Sequence, residues 1–108
     1  MAVISAVFVQ GNTGPDIVGQ LHSATDATVP IDLDRCSVKF QMRKPDDTMF
    51  TVDSAARITN SSQGLVAYTW GANDLSVPGE YDVQWEVTFP DYKVQTNSEP
   101  NRILVRRR

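Results

Sequence analysis

The stretch "EYDVQWEVTF", Glu80–Phe89, alternates without a break. Tyr81, Val83, Trp85, Val87 and Phe89 fall on one side, and Asp82, Gln84, Glu86 and Thr88 on the other. A period of two places successive side chains on opposite faces of an extended chain, so this segment predicts a strand with one buried face and one wet face. The same period governs "CSVKFQMRK", where Cys36, Val38, Phe40 and Met42 oppose Ser37, Lys39, Gln41 and Arg43. In "LVAYTW", Val66, Tyr68 and Trp70 share a face against Leu65, Ala67 and Thr69, a second face with no charge. No window of helical length keeps a 3.6-residue period, and "GANDL" allows a single helical turn at most.

Further strand candidates are "VISAVFVQ", "DIVGQLHS", "MFTVD", "ARITN", "YKVQTN" and "RILVR". Between them stand "GNTGPD", "KPDDT", "NSSQG", "SVPGE" and "FPDY", whose Gly, Pro, Asn and Asp are turn formers. Short strands at this spacing predict an all-β antiparallel sandwich of about seven to nine strands. With 108 residues, no linker and no internal repeat, residues 1–108 read as a single domain.

The corner "ANDLSVPGEYDV" narrows the sandwich to an immunoglobulin-like one. A turn closing on Pro78-Gly79, followed by a tyrosine that opens a long alternating strand, resembles the tyrosine corner of that fold. Tyr81 is the candidate corner residue, and the Asp74 side chain would tie the turn. The paired cysteines of antibody domains are absent, since Val83 stands two residues after the tyrosine. Packing must join the sheets, and Tyr68, Trp70, Tyr81 and Trp85 are expected to fill the space between them rather than form a carbohydrate-stacking platform. Tyr92, in the hairpin "FPDYK", is the aromatic expected outside.

Signals for chemistry are thin. His22 is the only histidine, which removes multi-histidine metal sites and leaves few nucleophile–base triads; it reads as a solvent-facing strand end. Cys36 is alone and sits in an alternating apolar pattern, so it reads as a small buried hydrophobe, with no intrachain disulfide, in keeping with a reducing cytoplasm. Asp32 with Asp34, and Asp46 with Asp47, are carboxylate pairs that suit calcium at sandwich-end loops but more commonly solvate turns, and no EF-hand spacing is present. "GNTGP" lacks the lysine and helix of a phosphate loop. We expect no catalytic residue, no metal and no cofactor. Ten Lys and Arg against thirteen Asp and Glu, net −3, argue against nucleic acid as a partner. No apolar run has the length of a membrane span, and the opening "MAVISAVFVQ" lacks the basic start of a signal peptide and reads as a first strand. The tail Arg106, Arg107 and Arg108 is either a solvated end or a contact for an acidic neighbour.

As a compound pattern the chain resembles the immunoglobulin-like N-terminal domain of tailed-phage baseplate upper proteins and its short single-domain phage relatives. "PIDLDRCSVKFQMRKPDD" looks like that family's hydrophobic–Asp–Leu turn leading into a strand that ends in Met-Arg. "GLVAYTWGANDLSVPGEYDVQWEVTFPDYKVQT" looks like its Gly-x-Val-x-Tyr-x-Trp, Asp-Leu, Pro-Gly-x-Tyr and aromatic-x-Val series, and "EPNRILVRR" like its closing strand. "FPDYK" departs from the pattern, with Asp91-Tyr92 where the family often has Asp-Gly, which leaves the hairpin geometry open. The resemblance implies a non-enzymatic virion component. It implies structural roles for Gly64, Tyr68, Trp70, Asp74, Pro78, Gly79, Tyr81 and Trp85, and no fibre-binding part in a sequence ending at Arg108.

The expectation is a structural protein of tail, baseplate or neck, assembled in the host cytoplasm. Its partners would be other virion proteins, with copies set by the particle's symmetry, and no membrane. Tyr92, Arg106, Arg107, Arg108 and the first strand are the expected contacts. A capsid decoration protein of the same fold is the near alternative, and a surface adhesin or carbohydrate-binding module the alternative from another class.

Overall fold

A computed structural model describes residues 4–23, 25–26 and 28–108. Val3 of the first strand candidate, and Ala24 and Ala27 of the "SATDAT" segment after His22, lie outside the described residues.

Eight strands form among these residues: β1 (Ile4–Val9), β2 (Ile17–Gln20), β3 (Ser37–Arg43), β4 (Val52–Ala55), β5 (Arg57–Asn60), β6 (Leu65–Tyr68), β7 (Gly79–Thr88) and β8 (Val94–Arg106). A five-stranded sheet has the order β1-β8-β7-β3-β4, and a three-stranded sheet the order β2-β6-β5. This is the two-sheet immunoglobulin-like arrangement. The chain steps from one sheet to the other at Ala56, whose N–H donates to the Val38 carbonyl at 2.8 Å between β4 and β5.

Alternation in β7 is read out directly: Tyr81, Val83, Trp85 and Val87 are buried, and the residues between them half-buried. In β3, Val38, Phe40 and Met42 meet them in the core. Phe40 sits at the centre of an aromatic cluster. Its ring stacks on Tyr68 at 4.8 Å, stands edge-on to Trp70 at 5.5 Å and tilts against Trp85 at 5.0 Å; Phe8 adds an edge contact to Trp70 at 5.0 Å. Offset and edge contacts of this kind contribute about 0.5–1.5 kcal/mol per pair beyond area burial. Gly19 makes room for one ring: a Cβ there would lie 3.0 Å from Trp85 Nε1.

Several features differ from the alternation-based expectation. The pair β1–β8 runs parallel, while every other pair is antiparallel. "YKVQTN" and "RILVR" join into the single strand β8, which carries an irregularity where Val83 pairs Asn101 and Trp85 pairs Asn97. The extra residues include Pro100, which has no N–H to give a ladder, so an interruption there suits the sequence. The helical turn is a 3₁₀ turn at Ser61–Gln63, whereas "GANDL" makes an ordinary turn. Gln41, on the wet face of β3, is buried nonetheless, because Gln84 Nε2 donates to its Oε1 at 2.7 Å and its Nε2 donates to Asp53 Oδ1 at 3.2 Å. Cys36 precedes β3 and is half-buried, not fully enclosed.

Candidate functional site

The corner before β7 is built by Val77, Pro78 and Gly79. Gly79 has φ +139°, a region that disfavours any side chain. The chain then enters β7, and the buried Tyr81 hydroxyl returns to donate to the Val77 carbonyl at 2.7 Å. Burial, with the charge of Asp47 as a lesser cause, raises the Tyr81 pKa above its ordinary value. Pro78 is half-buried beside this bond.

Asp74 closes the preceding turn with a single oxygen. Its Oδ2 accepts from the Gly71 N–H at 2.7 Å and from the Tyr68 hydroxyl at 2.5 Å. Burial, then the hydrogen bond and charge of Asp74, push the Tyr68 pKa up to about 12. A phenol so placed is a fixed donor and not an acid for chemistry near neutral pH. Trp70 and Trp85 are buried with these tyrosines, so none of the four rings offers a face for stacking on a ligand. The buried Trp70 Nε1–H has no hydrogen-bond partner among the described residues.

Tyr92 is the exposed ring, at 87%. The Phe89 N–H donates to the Lys93 carbonyl at 2.8 Å and the Tyr92 N–H to the Phe89 carbonyl at 2.9 Å, closing a three-residue loop. Tyr92 takes φ +67°, the left-handed position at which such loops favour glycine. The hairpin geometry is thus kept by the Asp-Tyr sequence, with the tyrosine in a conformation its Cβ disfavours.

The arginine tail leaves β8 beside the end of β1. The Gln10 N–H donates to the Arg106 carbonyl at 2.8 Å, and the Arg108 N–H to Gln10 Oε1 at 3.3 Å. Arg106, Arg107 and Arg108 are all exposed, and none forms an ion pair among the described residues.

Residues with chemical potential are scattered. His22 is half-buried in an isolated bridge to Pro30, and its carbonyl accepts from Gln95 Nε2 at 3.3 Å. Asp32 Oδ1 accepts the Asp34 N–H at 3.0 Å, and the Asp47 N–H donates to the Lys44 carbonyl at 3.0 Å, so each acidic pair belongs to a turn. Among the described residues no three His, Cys, Asp or Glu side chains converge on a metal position. Burial, with the charges of Asp32, Asp34 and Asp91 behind it, raises the Cys36 pKa and disfavours its thiolate. Shallow surface depressions lie along Phe89, Pro90 and Val94 and along Val18, Gln20, Thr59 and Leu65; neither includes His22 or Cys36.

One surface feature escaped the sequence reading, and one expected contact gains its side chains. Arg102 Nε donates to Asp82 Oδ1 at 2.9 Å across β7 and β8, a pairing visible only once the register is known. Ile4, Val7 and Val9 are exposed on β1. The signal for the latter was present, since "VISAVFV" is apolar at both parities and one face had to be left over.

No curated protein matches the chain. The sequence model of the BppU N-terminal domain matches residues 21–98, from just after β2 through the first part of β8, and includes Tyr68, Asp74, Tyr81, Trp85 and Tyr92. With a match over more than half of its 108 residues, the chain belongs to the family of the N-terminal domain of phage baseplate upper proteins.

Proposed function

We propose that this protein is a non-enzymatic structural component of a tailed-phage virion, in the baseplate, tail or neck, and that it works through protein–protein contacts made by sheet edges and loops. The family match over residues 21–98 is the observation that carries the reading. The side chains support it: the aromatics and corner residues are used up in packing, while Tyr92 and Arg106–Arg108 stand exposed as contacts for neighbouring virion proteins. Edges and loops dock without chemistry, and repeated copies follow from the symmetry of the particle.

Negative-stain labelling of purified particles with an antibody to this protein tests the reading. Label at the tail, baseplate or neck supports it. Label over the capsid surface moves the protein to a decoration role, and absence from purified particles overturns both.

A further inference from the structure

Four strands lie at the outer margins of the sheets: β1 and β4 in the larger, β2 and β5 in the smaller. An outer strand leaves alternate backbone N–H and C=O groups unpaired, and proteins protect such margins with short strands, charges and prolines. β2, β4 and β5 have four residues each; β4 contains Asp53, β5 begins with Arg57, and Pro15-Asp16 directly precede β2. β1 is longer, with the six residues ISAVFV, and has neither charge nor proline. While Phe8 turns into the core, Ile4, Val7 and Val9 are 38%, 52% and 36% exposed.

A cationic group stands at one end of this unprotected margin. Val9 pairs Arg106 in register, and Arg108 Nη1 would lie 3.2 Å from a Cβ on Gly11, just past β1. We propose that β1 is the docking edge for an extended segment of a different protein, which adds a strand outside β1. Its alternate apolar side chains cover Val7 and Val9, and its acidic side chains meet Arg106–Arg108. Main-chain hydrogen bonds would supply affinity and the arginines register, as in strand addition generally.

A second copy of this chain fits less well. Twofold antiparallel pairing of β1 with itself sets Val9 and Arg106 of one copy opposite Ile4 and Arg102 of the other, because Ile4 pairs Arg102 in register. Arg102 is already joined to Asp82, so that arrangement turns the arginine end of one copy toward an end of the other whose pairing residue is again an arginine, already engaged with a carboxylate of its own chain. β1 and Arg106–Arg108 also lie outside the matched residues 21–98, so the family match alone does not assign this edge. The inference rests on the virion reading above and names the kind of partner.

Amide hydrogen exchange of β1, compared between the free chain and purified particles, tests the proposal. We expect exchange over Ile4–Val9 to slow about tenfold or more in the particle. Two variants accompany it: Val7→Lys, which places a gatekeeping charge on an exposed position, and Arg106→Glu/Arg107→Glu/Arg108→Glu. Each is expected to melt at the wild-type temperature and to enter particles about tenfold less efficiently, while Val18→Lys on the other sheet enters normally. Particles that contain the chain with β1 exchanging as fast as when free overturn this proposal alone, as does normal entry of the folded variants. Particles that lack the chain overturn the virion reading and this inference with it.

Discussion

The Tyr68 hydroxyl and the Asp74 carboxylate, six residues apart, meet at 2.5 Å across the turn that follows β6. The same carboxylate oxygen holds the Gly71 N–H, so one acidic side chain fixes the turn and satisfies a buried phenol. Asp74→Ala removes the carboxylate acceptor of that phenol and leaves it only the weaker Ser54 hydroxyl, and a buried polar group that loses its partner costs about 1–3 kcal/mol. In a Tyr68→Phe background the same substitution should cost measurably less, because the donor is gone. Urea unfolding of the two single variants and the double variant checks this; equal costs in both backgrounds would show that the two side chains are not coupled.

Tyr68 also predicts how the fold responds to alkali. Its pKa is about 12 in the folded protein, above the unfolded value of about 10, so the folded state holds this proton more tightly. The contribution to stability is complete below about pH 10 and is lost as pH rises from about 10 to about 12, amounting to about 2–3 kcal/mol for this group. Tyr81, also shifted upward by burial, steepens the loss. Absorbance titration of phenolate alongside unfolding curves at successive pH values measures both. Ionisation of Tyr68 near pH 10 in the intact fold, read as the absorbance lost on Tyr68→Phe, would contradict the buried hydrogen bond.

What the sequence made legible was local. The phasing of β7 told which rings turn inward, because one face of a sandwich strand has no alternative to the core. The corner was legible because a Pro-Gly turn followed by an inward tyrosine leaves the hydroxyl few places to go, and it reaches Val77. Pairing between distant segments was not legible. Nothing in "ISAVFV" says that its neighbour is the last strand or that the pair runs parallel, since alternation is the same in either direction. The buried Gln41 was hidden for a related reason: its cover comes from β4 and β7, whose register no local pattern reports.

Gly64 shows how one residue can be required by backbone alone. It takes φ +66° after the 3₁₀ turn, and a Cβ there would lie 2.5 Å from the Leu21 carbonyl oxygen and 3.0 Å from that of Ile31. Both oxygens belong to backbone in the segment leading toward β3, which also bonds to this turn: Leu21 N–H to the Gly64 carbonyl at 2.8 Å and Leu33 N–H to the Ser61 carbonyl at 2.9 Å. Neither carbonyl can move away without straining those bonds. Gly64→Ala should therefore destabilise by about 3 kcal/mol, more than the left-handed conformation alone would cost. A loss below about 1 kcal/mol in urea unfolding would mean that the close approach relaxes freely.

Tyr92 reverses that case. The loop needs a left-handed residue, yet a tyrosine occupies it and exposes nearly its whole ring. An exposed ring contributes little to the isolated fold, so Tyr92→Ala should leave stability within about 0.5 kcal/mol of wild type. Tyr92→Gly removes the Cβ strain, and the glycine variant should be more stable than the alanine variant by about 1 kcal/mol, glycine's greater unfolded-state freedom taking back part of the gain. Both substitutions discard the ring, so a ring used in assembly predicts that both variants enter particles poorly, the glycine variant in spite of its stability. Thermal melting and particle incorporation, measured on the same pair, separate the two effects. Normal entry of the glycine variant would leave Tyr92 a strained surface residue with no part in docking.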